Sequence, residues 1–162
     1  MNKAAPRKEN FELERYYGKW YEIARTKNIP FEKGTDVTAT YTKIDETTFE
    51  VHNRELRTDG FKEIKGTGTV AGNAHVYINF FNRFPWLGKI FKSSLYIADT
   101  DYENFSICYS DISFWPFKRR FVWILTRHPV KGKEILEEKI QYLKEELGVE
   151  REDIFFPDHK HF

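Results

Sequence analysis

The sequence predicts an all-β protein: an eight-stranded antiparallel up-and-down β-barrel with one C-terminal α-helix packed outside it. Three observations predict this. Residues 20–127 divide into eight short segments in which apolar and polar side chains alternate between turn residues. From Gly132 to Leu147 the apolar spacing changes to that of a helix. Aromatic residues make up 17% of the chain, more than a small, tightly filled core needs, and they suit the walls of an apolar cavity.

The expected strands are Trp20–Thr26, Asp36–Ile44, Thr48–Leu56, Phe61–Ala71, His75–Phe81, Ser93–Asp99, Asn104–Ser110 and Phe121–Arg127. Asp45-Glu46-Thr47, Thr58-Asp59-Gly60 and Gly72-Asn73-Ala74 suit antiparallel hairpins. Gly66-Thr67-Gly68, inside a strand, reads as a bend or bulge that adds curvature. In the helix, Leu136, Ile140, Leu143 and Leu147 fall on one face, with Glu137, Glu138, Lys144 and Glu145 opposite. Gly148 ends it. A last short strand, Asp153–Phe156, follows. The organisation expected is a single domain over residues 1–162, with residues 1–12 as an N-terminal extension and 132–147 as the flanking helix. A barrel of about eight strands leaves room for interior side chains or one small ligand.

Composition excludes several function classes. With 26 basic and 25 acidic residues, no global field draws the chain to nucleic acid. Cys108 is the only cysteine, so no intrachain disulfide forms. That fits a reducing compartment or a secreted domain that needs no staples. Met1–Asn10 is polar and lacks the apolar stretch of a signal peptide, and no apolar run approaches the ~18 residues of a membrane helix. The compartment stays open: secreted, periplasmic or membrane-associated after signal removal, or cytosolic. The histidines at 52, 75, 128, 159 and 161 have no metal-ligand spacing. Cys108 lies within an expected strand, Ser93 and Ser94 lie in no nucleophile elbow, and there is no phosphate-binding loop. No catalytic residue, metal or cofactor is expected, and the chain reads as a binding protein rather than an enzyme.

Three short signals punctuate the chain: Gly18-Lys19-Trp20-Tyr21-Glu22-Ile23-Ala24-Arg25, Thr100-Asp101-Tyr102-Glu103-Asn104 and Trp123-Ile124-Leu125-Thr126-Arg127. In an up-and-down barrel successive connections alternate between the two ends. By that parity Gly18 and Trp20, then Thr100, Asp101 and Tyr102, and finally Arg127 all lie at one end. The opposite rim then holds Asn28–Thr35, Arg57–Gly60, Asn82–Lys92 and Asp111–Arg120. Two of these loops are unusually apolar, through Phe84, Trp86 and Leu87 and through Phe114, Trp115 and Phe117, and both carry basic residues. Such a rim suits an anionic membrane surface, a lid over the pocket or a homodimer interface, and these readings stay open.

Strand alternation supplies the candidate cavity wall: Tyr41, Val51, Asn53, Glu55, Ile78, Phe80, Leu95, Ile97, Phe121, Trp123 and Leu125, with Val37 and Ala39 on the face of Tyr41. Apolar walls with a few polar groups are the usual make-up of a small-molecule site. For an acidic ligand, Arg57, Arg83 and Lys92 are the rim donors available.

In order and spacing the three signals resemble the conserved stretches of the lipocalin family. Val37-Thr38-Ala39-Thr40-Tyr41 and Asn53-Arg54-Glu55-Leu56-Arg57-Thr58-Asp59-Gly60 resemble in particular the subgroup of apolipoprotein D, the bacterial outer-membrane lipocalin and the plant temperature-induced lipocalins. The resemblance implies that Trp20 plugs the barrel base with Arg127 packed on its indole, and that Tyr41, Asn53 and Trp123 line the cavity. It implies non-covalent binding and transport or storage of a fatty acid, lysophospholipid or similar lipid, at a membrane surface in several members. The ligand would be a small hydrophobe and the oligomeric state monomer or homodimer. Two alternatives remain: a lipid- or prostanoid-converting enzyme using the same cavity, with Cys108 as nucleophile as in one lipocalin branch, and a carrier of a bilin, haem or retinoid pigment. The chain departs from apolipoprotein D in being unable to form its disulfides, and no lipobox is present.

Overall fold

The structure is a computed structural model and describes residues 4–27, 29–80, 93–114 and 116–161, without the side chains of residues 113, 114 and 117. A single turn of helix, α1 (Leu13–Tyr16), leads into eight long strands: β1 (Gly18–Thr26), β2 (Thr35–Lys43), β3 (Thr48–Arg57), β4 (Gly60–Gly72), β5 (His75–Asn79), β6 (Ser93–Thr100), β7 (Phe105–Phe114) and β8 (Phe117–Thr126). The outer helix α2 (Leu136–Leu147) and a two-residue strand β9 (Ile154–Phe155) follow. Each long strand pairs antiparallel with the next, β8 pairs with β1, and β1 pairs with β2, so the sheet closes on itself. Strand β9 adds to the end of β1. Among the described residues no helix is long and apolar enough to cross a membrane.

Two apolar layers explain the strand sequences. Inside the barrel, Trp20, Tyr41, Phe49, Val51, Val76, Ile78, Leu95, Cys108, Trp123 and Leu125 are buried together. Outside it, Ile107, Tyr109, Val122 and Ile124 meet Ile140, Leu143 and Leu147 of α2. Strand β8 is therefore apolar on both faces where the helix covers it, and Phe121 to Thr126 are all buried. Uncovered strands alternate; on β3, Phe49 and Val51 are buried while Glu50 and His52 are less so.

Two expectations are corrected. Residues 111–120 are not a loop, because β7 and β8 continue as a hairpin from Asp111 opposite Arg120 to Phe114 opposite Phe117. A fork from Arg120 stitches the extension, with Nε 2.6 Å from Asp111 Oδ1 and Nη2 2.8 Å from Oδ2. Nor do Gly66 and Gly68 bulge: they stay in regular register opposite Val51 and Phe49. The reason is lateral. The Phe49 ring occupies the space a Cβ at Gly68 would need, so only glycine lets the ring lie on β4. The bulges lie elsewhere, including one between Glu22 and Ala24 on β1.

Candidate functional site

One end of the barrel is solid. The Arg127 guanidinium lies 3.7 Å from the centre of the Trp20 indole. Its N–H groups donate to the carbonyls of Tyr102 (3.0 Å), Lys19 (3.0 Å), Arg15 (3.2 Å), Tyr16 (3.2 Å) and Tyr17 (3.0 Å). A guanidinium suits this place because its face is drawn to the ring while its edge donates. Gly18 holds a φ of +103°, and a Cβ there would come within 3.1 Å of the same guanidinium. Thr100-Asp101-Tyr102 forms the adjoining turn: Thr100 Oγ1 donates to the Phe105 carbonyl at 2.6 Å, and Asp101 Oδ1 accepts the Asn104 and Phe105 N–H groups at 2.8 and 3.0 Å. Behind Arg127 an aromatic plug fills the barrel, with ring centres 5.0 Å apart for Tyr16–Trp20, 5.4 Å for Tyr16–Tyr41 and 5.9 Å for Tyr41–Phe49. The N-terminal segment crosses nearby, Lys8 N donating to the Ile97 carbonyl at 2.8 Å and Glu12 N to the Tyr102 hydroxyl at 3.0 Å.

Toward the other end the barrel is hollow. A cavity of about 670 Å³, counting the part continuous with solvent at its mouth, lies above the plug. Of the residues expected on its wall, Tyr41, Val51, Asn53, Ile78, Phe80, Leu95, Trp123 and Leu125 line it, as do Val37 and Ala39.

Three do not. The Glu55 carboxylate is turned to the β1–β2 connection, where it accepts the Gly34 N–H at 2.8 Å, the Lys33 N–H at 3.1 Å and the Arg57 guanidinium. Ile97 is buried within the interior cluster, away from the lining. Phe121 is covered edge-on by Phe31, their ring centres 6.0 Å apart. Arg57, a rim donor for an acidic ligand, is paired with Glu55 and the Phe31 carbonyl. Phe84, Trp86, Leu87 and Trp115, with Arg83 and Lys92, lie outside the described residues; for Phe114 and Phe117 only the backbone is described, at the tip of the β7–β8 hairpin.

The wall also holds groups that strand alternation did not single out: Glu22, Phe31, Glu32, Thr38, Ser93, Ser94, Cys108 and Ser110. The most unusual are acidic. Glu22 and Arg25 stand three residues apart on β1, a separation that puts side chains on opposite faces of a regular strand. The bulge between Glu22 and Ala24 removes that opposition, and Arg25 Nη1 donates to Glu22 Oε1 at 2.7 Å. Both side chains are almost fully buried, at 5% and 3% exposure. Arg25 Nη2 also reaches the carbonyls of Glu32 (3.4 Å) and Gly34 (3.3 Å). Trp123 Nε1 donates to Glu32 Oε2 at 2.9 Å.

Burial, then the charge of Glu32, raise the Glu22 carboxyl well above its ordinary range, and burial raises Glu32 too. Glu32 Oε2 lies 4.0 Å from Arg25 Nε, so one guanidinium faces both carboxyls. Burial and these same carboxyls push the Cys108 thiol far up. Asn53 Oδ1 is buried with no hydrogen-bond partner.

A β-barrel stoppered at one end and hollow toward the other defines a class, proteins that hold a small hydrophobic molecule inside. A family model described as a lipocalin-like domain matches residues 11–153, and the chain belongs to the lipocalin family, whose members bind small hydrophobic ligands. Apolipoprotein D of Mus musculus is 38% identical over 149 residues, covering 88% of this chain and 72% of that protein. The outer membrane lipoprotein Blc of Vibrio cholerae is 33% identical over 141 residues, covering 84% and 76%. Among solved structures, insecticyanin from the tobacco hornworm Manduca sexta shares the fold with a TM-score of 0.79 at 18% identity, over 98% of this chain and 86% of its own. Apocrustacyanin C1 does so with a TM-score of 0.75 at 21% identity, over 94% and 82%.

Proposed function

We propose that this protein takes one single-tailed hydrophobic molecule into the barrel non-covalently and carries or stores it. The observation behind the reading is the apolar hollow above the Tyr16–Trp20–Tyr41–Phe49 plug, lined by Val51, Ile78, Leu95, Trp123 and Leu125. Burial of a chain in such a wall contributes about 0.8 kcal/mol per methylene, against the cost of association. Contact of the rim with an anionic lipid surface, where cargo would be exchanged, is a further part of the proposal and rests on the aromatic and basic residues between 82 and 120.

Extraction of the protein purified from cells, followed by native mass spectrometry, tests the first part. The expected result is a bound hydrophobe of one class, and absorbance of the same sample reveals any pigment. Trp123→Ala should weaken binding of the neutral dye Nile red about tenfold, because a large ring leaves the wall, while far-ultraviolet circular dichroism stays unchanged. Equal affinity would put the ligand elsewhere. For the rim, Trp86→Ser with Trp115→Ser should lower retention on anionic liposomes, and a parent protein that ignores such liposomes removes the membrane part.

A catalytic reading has one observation in its favour, since Cys108 lies on the cavity wall. Its chemistry opposes the role. A thiol raised by burial and by two neighbouring carboxyls stays protonated and is a poor nucleophile.

A further inference from the structure

We infer that the cavity selects a hydrophobic alcohol over a free fatty acid, the hydroxyl of the ligand donating to the carboxyl groups of Glu22 and Glu32. The inference rests on the carrier reading and names the ligand class for that same cavity.

Among the described residues, the charged ones of the wall are both acidic, Glu22 and Glu32. The nearest cation, Arg25, is committed: its N–H groups are given to Glu22 and to the carbonyls of Glu32 and Gly34. The Trp123 N–H is likewise given to Glu32. The hydroxyl of Ser110 donates to the Ser94 carbonyl at 2.7 Å. The two carboxyls keep accepting capacity, for each carboxyl oxygen has two lone pairs and has taken few bonds. Asn53 Oδ1, buried and without a donor, adds a second, independent acceptor on the same wall.

A carboxylate head brought here would be stripped of water, find no uncommitted cation among the described residues of the wall and face two acidic groups. A hydroxyl head carries no charge and supplies a hydrogen to these acceptors. An ester has neither charge nor hydrogen. An ammonium head is disfavoured for another reason. Burial raises both carboxyls toward their protonated forms, so an ammonium would have to draw a proton from one of them before pairing with it.

Isothermal titration calorimetry at neutral pH with four ligands of equal chain length decides the matter: 1-dodecanol, laurate, methyl laurate and dodecylamine. The expected order places dodecanol tightest, with laurate and the ester each weaker by about tenfold or more, as expected when a buried acceptor is left unpaired or a charge is added. Glu32→Gln removes one acidic group at near-constant size, and should narrow the alcohol-over-laurate ratio to roughly a third of its parent value or less. Laurate, ester or amine binding as tightly as dodecanol overturns the inference, as does a ratio unmoved by Glu32→Gln. Should that variant not fold, the parent's order of affinities decides alone. Failure of all four ligands together with Nile red would instead remove the carrier reading.

Discussion

At the scale of single residues, Arg127 is the side chain on which most of the closed end converges. Five carbonyls and one indole face are arranged around one guanidinium. Lysine at this position keeps the charge but reaches few of those carbonyls. Arg127→Lys should therefore lower unfolding free energy by about 2–4 kcal/mol in urea titration, with Nile red binding retained at low urea. A loss under half a kcal/mol would mean that solvent replaces the fork without cost. Gly68 tests packing of another kind. Gly68→Ala drives a methyl into the Phe49 ring and should cost about 1–3 kcal/mol, while Phe49→Leu in the same chain should recover part of that loss. Simple addition of the two penalties would show that the ring can move aside.

At the scale of elements, the bulge on β1 and the C-terminal tail both shape the open end. The bulge brings Arg25 to Glu22. The tail ties to the start of β2: Asp36 N donates to the Asp158 carbonyl at 2.8 Å, and the Asp36 carboxylate accepts Lys160 N at 2.7 Å and His161 Nδ1 at 2.9 Å. Burial alone would raise this carboxyl, but the bonds from His161 and from the Lys160 and His161 backbones outweigh it and hold it below its ordinary value. A carboxyl depressed in the folded state stabilises the protein above the unfolded value, about pH 4, and loses that contribution as pH falls through the folded one. Asp36→Asn keeps a residue that tolerates the observed φ of +48° and removes the charge. Its stability deficit should be largest at neutral pH and vanish on acidification, as followed by urea midpoints across the acid range. A deficit independent of pH would assign the effect to backbone geometry instead.

At the scale of the whole molecule, legibility followed the alternation of side chains. The sequence shows the barrel and its outer helix because short polar–apolar alternation and a helical period are local signals; hairpin parity puts Trp20 and Arg127 at one end, and their pairing is what the resemblance to the lipocalins implies. Tyr41, Asn53 and Trp123 were legible as wall residues for the same reason. The Glu22–Arg25 contact was not legible, since a one-residue bulge reverses the face Arg25 occupies and nothing in Ile23-Ala24 announces one. Glu32 sits in a connection, where periodicity carries no information. Glu55 misled because it shares a face with Asn53 and Val51, yet the nearby backbone N–H groups of Lys33 and Gly34 draw its carboxylate away. The β7–β8 extension was hidden by its composition: Ile112, Phe114, Trp115 and Phe117 read as an apolar loop, whereas cross-strand pairing continues through Phe114 and Phe117.

The lone thiol has a practical consequence. Cys108 is the chain's only cysteine and stands in the wall of the hollow, 2% exposed. It is thus a built-in gauge of occupancy that needs no engineering. Alkylation by a small reagent such as iodoacetamide, read as a mass increment over time, should run slowly in the empty protein and several-fold more slowly once dodecanol fills the barrel; equal rates would mean that the guest never shields the sulfur.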